Sequence, residues 1–223
     1  SIDNLPLDRM LTAAAFEKLS GILDGTKGVT AFSPRIRFGA MLSNYAQTTN
    51  VRLNGIDPAR EIAAVPLLAS RIQEAAHTDI LLKPGEVLLP EVLARGMEIK
   101  TGDTIVLVAN NKDGSVNGMT FQVAGVVENL MGPGGRDGYL HIDDAAVLLR
   151  METKEISEVA VRVENFEHLD AVAGRLRSVL EPMTNPQNKP LFELHTWDQL
   201  TPFYNVVRMI DVMTLGVRAI LIA

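Results

Sequence analysis

The 223-residue sequence contains no cysteine. That absence excludes disulfides, thiolate-held metals and clusters, and a thiol nucleophile, although it does not choose a compartment. Positive charge is also short: 21 Lys and Arg stand against 27 Asp and Glu, a net charge of −6 with a pI near 5.3. Phosphate binding needs concentrated Lys and Arg, so nucleic acid is not an expected partner. No uninterrupted apolar run reaches the roughly 20 residues of a membrane span. For want of such a run the chain is expected to be mostly soluble as it stands; it begins at Ser1, not Met, which leaves open the removal of a signal peptide or an upstream membrane helix. There is no internal repeat and no low-complexity tract. What remains is ordinary for a globular protein, with 47% hydrophobic and 22% charged residues, enough for one sizeable core or two modest ones.

Hydrophobic periodicity divides the chain. Leu7, Leu11, Ala15, Leu19 and Ile22 recur at spacings of three and four and predict an amphipathic helix that Asp24 and Gly25 break. The period then changes to two: Ile36, Phe38, Ala40 and Leu42 alternate with Arg35, Arg37, Gly39 and Met41, the pattern of a strand with one buried face. A second strand is expected from Val51 to Ile56, ended by the turn chemistry of Gly55, Asp57 and Pro58. The Ala-rich tract 59–77 reads as partly helical and interrupted at Pro66.

The middle is richer in strand signals. "GEVLLPEVLARGMEIK" reads as a short helix, followed by a Gly-Asp turn and a strand, 105–109, apolar on both faces and therefore interior. Asp113-Gly114 is the natural hairpin pair before a returning strand carrying Phe121, Val123, Gly125 and Val127. Hairpin-linked strands of this length favour a small barrel or sandwich. The α/β pattern then resumes. "YLHI" reads as a strand, Asp143 or Asp144 as the cap of a helix "AAVLLR", and Val159, Val161 and Val163 as one face of a strand. Leu169, Val172, Leu176 and Val179 line a helix, and "LFELHTW" reads as a last strand. The expected class is α+β: a discontinuous mixed α/β lobe from both chain ends, residues 1–60 and 155–200, with a β-rich lobe, 61–154, inserted between them, and an exit helix over 201–223.

Chemistry-bearing motifs are sparse. In "HIDD", His141 with Asp143 is the histidine–carboxylate grouping to weigh as a metal site, but a strand end followed by a helix cap accounts for it. The glycines of "MGPGGRDG" lack the Gly-Lys-Ser/Thr ending of a phosphate loop, so a surface loop carrying Arg136 is expected. There is no Gly-x-Ser-x-Gly elbow, and Ser33 and Ser43 have no base near them in sequence. Glu91 and Glu98 read as solvated positions. No catalytic, cofactor-binding or metal-ligating residue is therefore expected. A hydrolase would need a deep pocket with two or more convergent titratable groups between the lobes.

The closing segment "TPFYNVVRMIDVMTLGVRAILIA" starts on Thr201-Pro202, a good helix start, and becomes steadily more apolar, with Arg218 its last charge. No Gly or polar cap closes it. Phe203 and Tyr204 stand near its polar start, as they would on a helix leaving water for a bilayer. Burial of its end in the domain's own core would instead make it a structural helix.

The order of features resembles one family. The N-terminal helix, "GIDP" with Glu61 after it, "LLPEVLARGMEIKTGDTIVL", "VAGVVEN", "YLHIDDAAVLLR" and the Trp197-to-Pro202 exit follow one another as in the extracytoplasmic domain of FtsX-like ABC transporter permeases. That group includes MacB-type exporters and lipoprotein-releasing permeases. The resemblance implies a non-enzymatic domain between two membrane helices, itself extracytoplasmic (periplasmic). It also implies a cytoplasmic ABC ATPase subunit, a second permease copy or paralogue, and a periplasmic carrier or adaptor as partners, with attachment to the inner membrane through flanking helices. The implied function is coupling of ATP hydrolysis to export or extraction of a hydrophobic or lipidated cargo, the helix from Pro202 acting as the transmission stalk. The alternative is a membrane-anchored periplasmic ligand-binding or chaperone-like module without an ATPase.

Overall fold

A computed structural model of the chain describes residues 10–111, 113–129, 136–184, 188 and 190–196. The exit helix, Leu7, Trp197 and the tip of the glycine loop lie outside these residues. In chain order the elements are α1 (Ala13–Gly25), β1 (Val29–Ser43), β2 (Thr48–Ile56), α2 (Pro58–Ala64), α3 (Leu67–Ser70), β3 (Ile72–Gln73), β4 (Glu86–Pro90) and α4 (Glu91–Gly96). They continue with β5 (Thr104–Asn110), β6 (Val116–Val127), β7 (Gly138–His141), α5 (Ile142–Leu148), β8 (Glu158–Val163) and α6 (Leu169–Leu180).

The alternating run that begins the β structure is longer than its periodicity predicts, because β1 continues back through Pro34 to Val29. Ile36, Phe38, Ala40 and Leu42 are all buried, as their spacing requires. The second half of β1 pairs antiparallel with β2 on one side and, from Met41, with β5 on the other. The β5–β6 hairpin turns at Gly114, whose φ of +80° suits glycine. β6 pairs with β4, β4 with β7, and β7 with β2, so the path returns to β1 and closes a six-stranded ring. Closure leaves no open edge on the ring. Its apolar residues, among them Phe38, Leu53, Leu89, Leu107, Phe121 and Leu140, form the main core cluster.

The first half of β1 leaves the ring to pair antiparallel with β8. Against this pair pack α1, through Leu19 and Leu23, and α6, through Val172, Leu176 and Leu180. A mixed α/β lobe drawn from both chain ends and a β-barrel region therefore make up the fold, and β1 runs through both. A third cluster sits under α2, α3 and the loop bearing Leu81 and Leu82, against Leu88, Ala124 and Tyr139.

Several local expectations are corrected. The stretch read wholly as a helix before Gly96 is β4 followed by α4, because Val87, Leu88 and Leu89 lie between two strands and are buried on both faces. β5 buries Ile105, Leu107 and Ala109, while Val106 and Val108 stay half-exposed, so one of its faces looks outward. The cap of α5 is His141, whose Nδ1 accepts from the Asp143 N–H at 3.3 Å; Asp143 and Asp144 occupy the first turn, where their charge suits the helix dipole. On α6 the buried stripe ends at Leu180, and Val179 is exposed. Residues 191–196 form no strand.

Candidate functional site

The most concentrated chemistry lies where β1 passes from one lobe to the other. Alternation places Arg35 and Arg37 on the β1 face opposite Ile36 and Phe38. Pro58 at the start of α2, capped by the Asp57 side chain, sets the helix so that Glu61 points at this face. Glu61 is completely buried, and Arg35 grips it twice, Nη2 to Oε1 at 2.6 Å and Nε to Oε2 at 3.2 Å. Such parallel contacts are the strong geometry for a guanidinium and a carboxylate. From its other side Arg35 donates Nη1 to Glu158 Oε1 of β8 at 2.8 Å.

The chain of charges continues. Arg37 stands 3.5 Å from Glu158 and 3.5 Å from Asp137. Asp137, 3% exposed at the entry to β7, also pairs with Arg52 and accepts from Asn54 Nδ2 at 3.1 Å, both on β2. Glu61, Arg35, Glu158, Arg37, Asp137 and Arg52 thus form a charge-balanced ladder joining α2, β1, β8, β7 and β2. Burial pushes the Arg35 guanidinium down, but the hydrogen bond and charge of Glu61, with Glu158 behind them, outweigh it and hold the group above its ordinary value. Burial likewise pushes the nearby Tyr139 hydroxyl up, opposed by the charges of Arg35 and Arg71. A ladder whose Glu61 and Asp137 are buried and paired with arginines fixes the geometry of the elements it joins.

The residues weighed from sequence do not meet there. Ser33 is fully buried in β1, and Ser43 sits at the far end of the same strand, its Oγ accepting from the Tyr45 N–H at 3.2 Å. Asp143 pairs with Lys154, and Asp144 accepts from the Gly85 N–H at 2.7 Å. Glu91 pairs with Arg95 one turn along α4, and Glu98 is exposed. Arg136 directly precedes the ladder's Asp137. His77 approaches both Glu86 oxygens at 2.9 Å, away from the ladder. Among the described residues no cluster of His, Asp and Glu has the makings of a metal site, and no helix is long and apolar enough to cross a membrane. A cavity of about 440 Å3 opens between the end of α1, the start of β1 and α2, with Asp24 and Arg60 as its charged members; it is not lined by ladder residues. The ladder escapes sequence reading because Glu61, Asp137 and Glu158 come together only through the fold; the sole local hint is Glu61 following "GIDP" within one helical turn.

Comparison with known proteins agrees with this architecture. Residues 6–179 match the family model described as the MacB-like periplasmic core domain. The fold is similar to the extracellular domain of the noncanonic ABC-type transporter YknZ from Gram-positive bacteria, with a TM-score of 0.56 at 16% identity over 84% of this chain and 90% of that one. The periplasmic region of MacB from Actinobacillus actinomycetemcomitans gives a TM-score of 0.49 at 14% identity, covering 76% of this chain and 74% of that one. No curated protein sequence matches. With the family model spanning most of the chain, the protein belongs to the MacB-like periplasmic core domains, the extracytoplasmic part of an FtsX-like ABC transporter permease.

Proposed function

We propose that this domain works outside the membrane as the transmitting part of an ABC permease, coupling ATP hydrolysis in a cytoplasmic subunit to the export or extraction of a hydrophobic or lipidated cargo. The observation that carries this reading is the family match over residues 6–179. The ladder supports it physically. Arg35, Arg37 and their carboxylates tie α2 and β8 to the barrel strands β2 and β7, so displacement of the α/β lobe is passed on rather than absorbed. The partners that follow are the ATPase, a second permease copy or paralogue, and a periplasmic carrier or adaptor, with the inner membrane reached through flanking helices. Hydrolysis belongs to the ATPase and not to this domain.

Purification of the full-length gene product tests the reading. The expected result is co-purification with an ABC ATPase, and ATP turnover in proteoliposomes that rises several-fold when a lipopeptide is supplied. A full-length protein with a single membrane span that brings down no ATPase would establish the anchored ligand-binding or chaperone-like module instead.

A further inference from the structure

Three runs of the sequence, 38–51, 104–111 and 114–127, carry no charged residue, although the chain as a whole is 22% charged. They are separate in sequence, and the fold brings them together. They supply the barrel half of β1, the first part of β2, and all of β5 and β6. Inward positions of a barrel strand are apolar in any case; outward positions need not be. Elsewhere on the same strands the outward positions are charged, as Arg37 and Arg52 are where they meet Asp137. Here the registers line up Asn50, Met41, Val108 and Gly118 in one outward row across β2, β1, β5 and β6. The next row runs through Ser43 and Val106. Met41 is 47% exposed. Charge returns at the rim, with Arg52 on β2, Asp103 before β5 and Asp113 in the hairpin. An uncharged centre within a charged rim is the anatomy of a protein interface.

At one end of this wall the β1–β2 hairpin presents Tyr45, 71% exposed. Its φ of +71° is a left-handed conformation that a residue other than glycine adopts at a cost. The turn holds it there. Asn44 Oδ1 accepts from the Ala46 and Gln47 N–H groups at 3.1 and 2.7 Å, and Asn44 Nδ2 donates to the Met97 carbonyl at 2.9 Å. A tyrosine fixed in place beside an uncharged surface can anchor a contact at little cost in lost freedom. Charge also selects the partner. A net charge of −6 makes copies of the chain repel one another in general. A basic partner would be steered by acidic residues, which this wall lacks. A wall without charge is where two copies can meet unopposed.

We propose that the outer wall of β2, β1, β5 and β6 is where a second copy of this chain docks, about a two-fold axis passing between β1 and β5. Such an axis lays the two walls end over end. It sets Tyr45 of each copy against the Gly39 end of its partner, where an added Cβ would meet nothing and a ring has room. The wall is roughly 19 Å across its four strands and roughly 20 Å along β1. That is about half of the ~800 Å2 per partner of a standard interface, so pairing is weak between free chains and gains from both copies being held in one membrane. The second copy and the membrane belong to the transport reading, on which this inference rests.

Because the chain has no cysteine, a single introduced one is its sole thiol. Met41→Cys lies beside the proposed axis, and Ser178→Cys lies at an exposed position of α6. Copper–phenanthroline oxidation of the two 223-residue variants at high protein concentration should link Met41→Cys into a disulfide dimer at least about tenfold faster than Ser178→Cys. Adding Val108→Arg sets like charges across the axis and should remove that advantage. Thr120→Arg, at an exposed position of the same wall, should do so by burying an unpaired charge, without altering the half-buried Val108. Equal rates at the two cysteines, or an advantage that survives both arginine variants, overturns the proposal. So does a full-length Met41→Cys protein that links in its membrane to a different protein and not to itself. No ATPase enters these measurements, so their failure and the failure of the transport reading are told apart.

Discussion

Arg35 and Glu61 are 26 residues apart in sequence and form a two-point ion pair on a carboxylate with no solvent exposure. Each partner has been taken out of water, so their attraction must offset two desolvation costs, and loss of either partner leaves an uncompensated charge. Glu61→Ala should destabilise the domain by about 3 kcal/mol, the low end for a broken buried pair because Glu158 remains beside Arg35. Joint Arg35→Met and Glu61→Leu should recover most of that loss, since a packed apolar pair carries no desolvation cost. Urea midpoints for the two variants check this; a double variant as unstable as Glu61→Ala would mean that packing at α2, not charge, is what Glu61 supplies.

A close backbone approach predicts a second effect. At Gly55 on β2 an added Cβ would overlap the Cβ of Ala145 and come within 3.4 Å of the Ile142 Cα of α5. Both neighbours are short or backbone and cannot swing away. Gly55→Ala should therefore cost about 2 kcal/mol through overpacking, whereas Gly39→Ala, on the same sheet with open space around it, should be nearly silent. Thermal unfolding of the pair gives the comparison.

Tyr139 supplies an alkaline prediction. Burial raises its folded pKa above the unfolded value, so between the two the folded state holds a proton that the unfolded chain has released. Stability is complete below about pH 10, the ordinary tyrosine value, and declines as pH rises toward the folded pKa. Tyr139→Phe should flatten this alkaline decline, at some cost in stability at neutral pH. Denaturant midpoints measured across the alkaline range would show it, and an unchanged slope in the variant would remove Tyr139 as the cause.

The parts of the fold that were legible in sequence are those in which neighbours along the chain decide the outcome. Ile36 to Leu42 alternate because one face of β1 meets the barrel core, and Asp113-Gly114 turns because glycine accepts the φ needed there. Val87 to Leu89 were illegible for the opposite reason. A strand buried on both faces has no period, so it merged with the helix behind Pro90. The His141 cap was hidden by two aspartates that are commoner caps. Beyond Glu61 after "GIDP", the ladder could not be read, since Arg35 meets Glu158 across 123 residues and nothing in either neighbourhood announces the other. The apolar run to Ala223 lies outside the described residues and stays an expectation.

β1 has 15 residues, and at about 3.3 Å each it is a rod of roughly 50 Å, continuous from the helix-covered lobe into the barrel wall. Two bodies sharing one such rod cannot hinge about a linker, because no linker lies between them at this crossing. Under the transport reading proposed above, motion imposed at one end would reach the other as twist or tilt of the barrel. The register shift between Val29 and Ala31 is the irregularity recorded along the β1–β8 ladder, and it sits at the lobe end, before the ladder's first arginine. A drive shaft with its compliant joint at the input and its gripped length at the output is the mechanical description this strand invites.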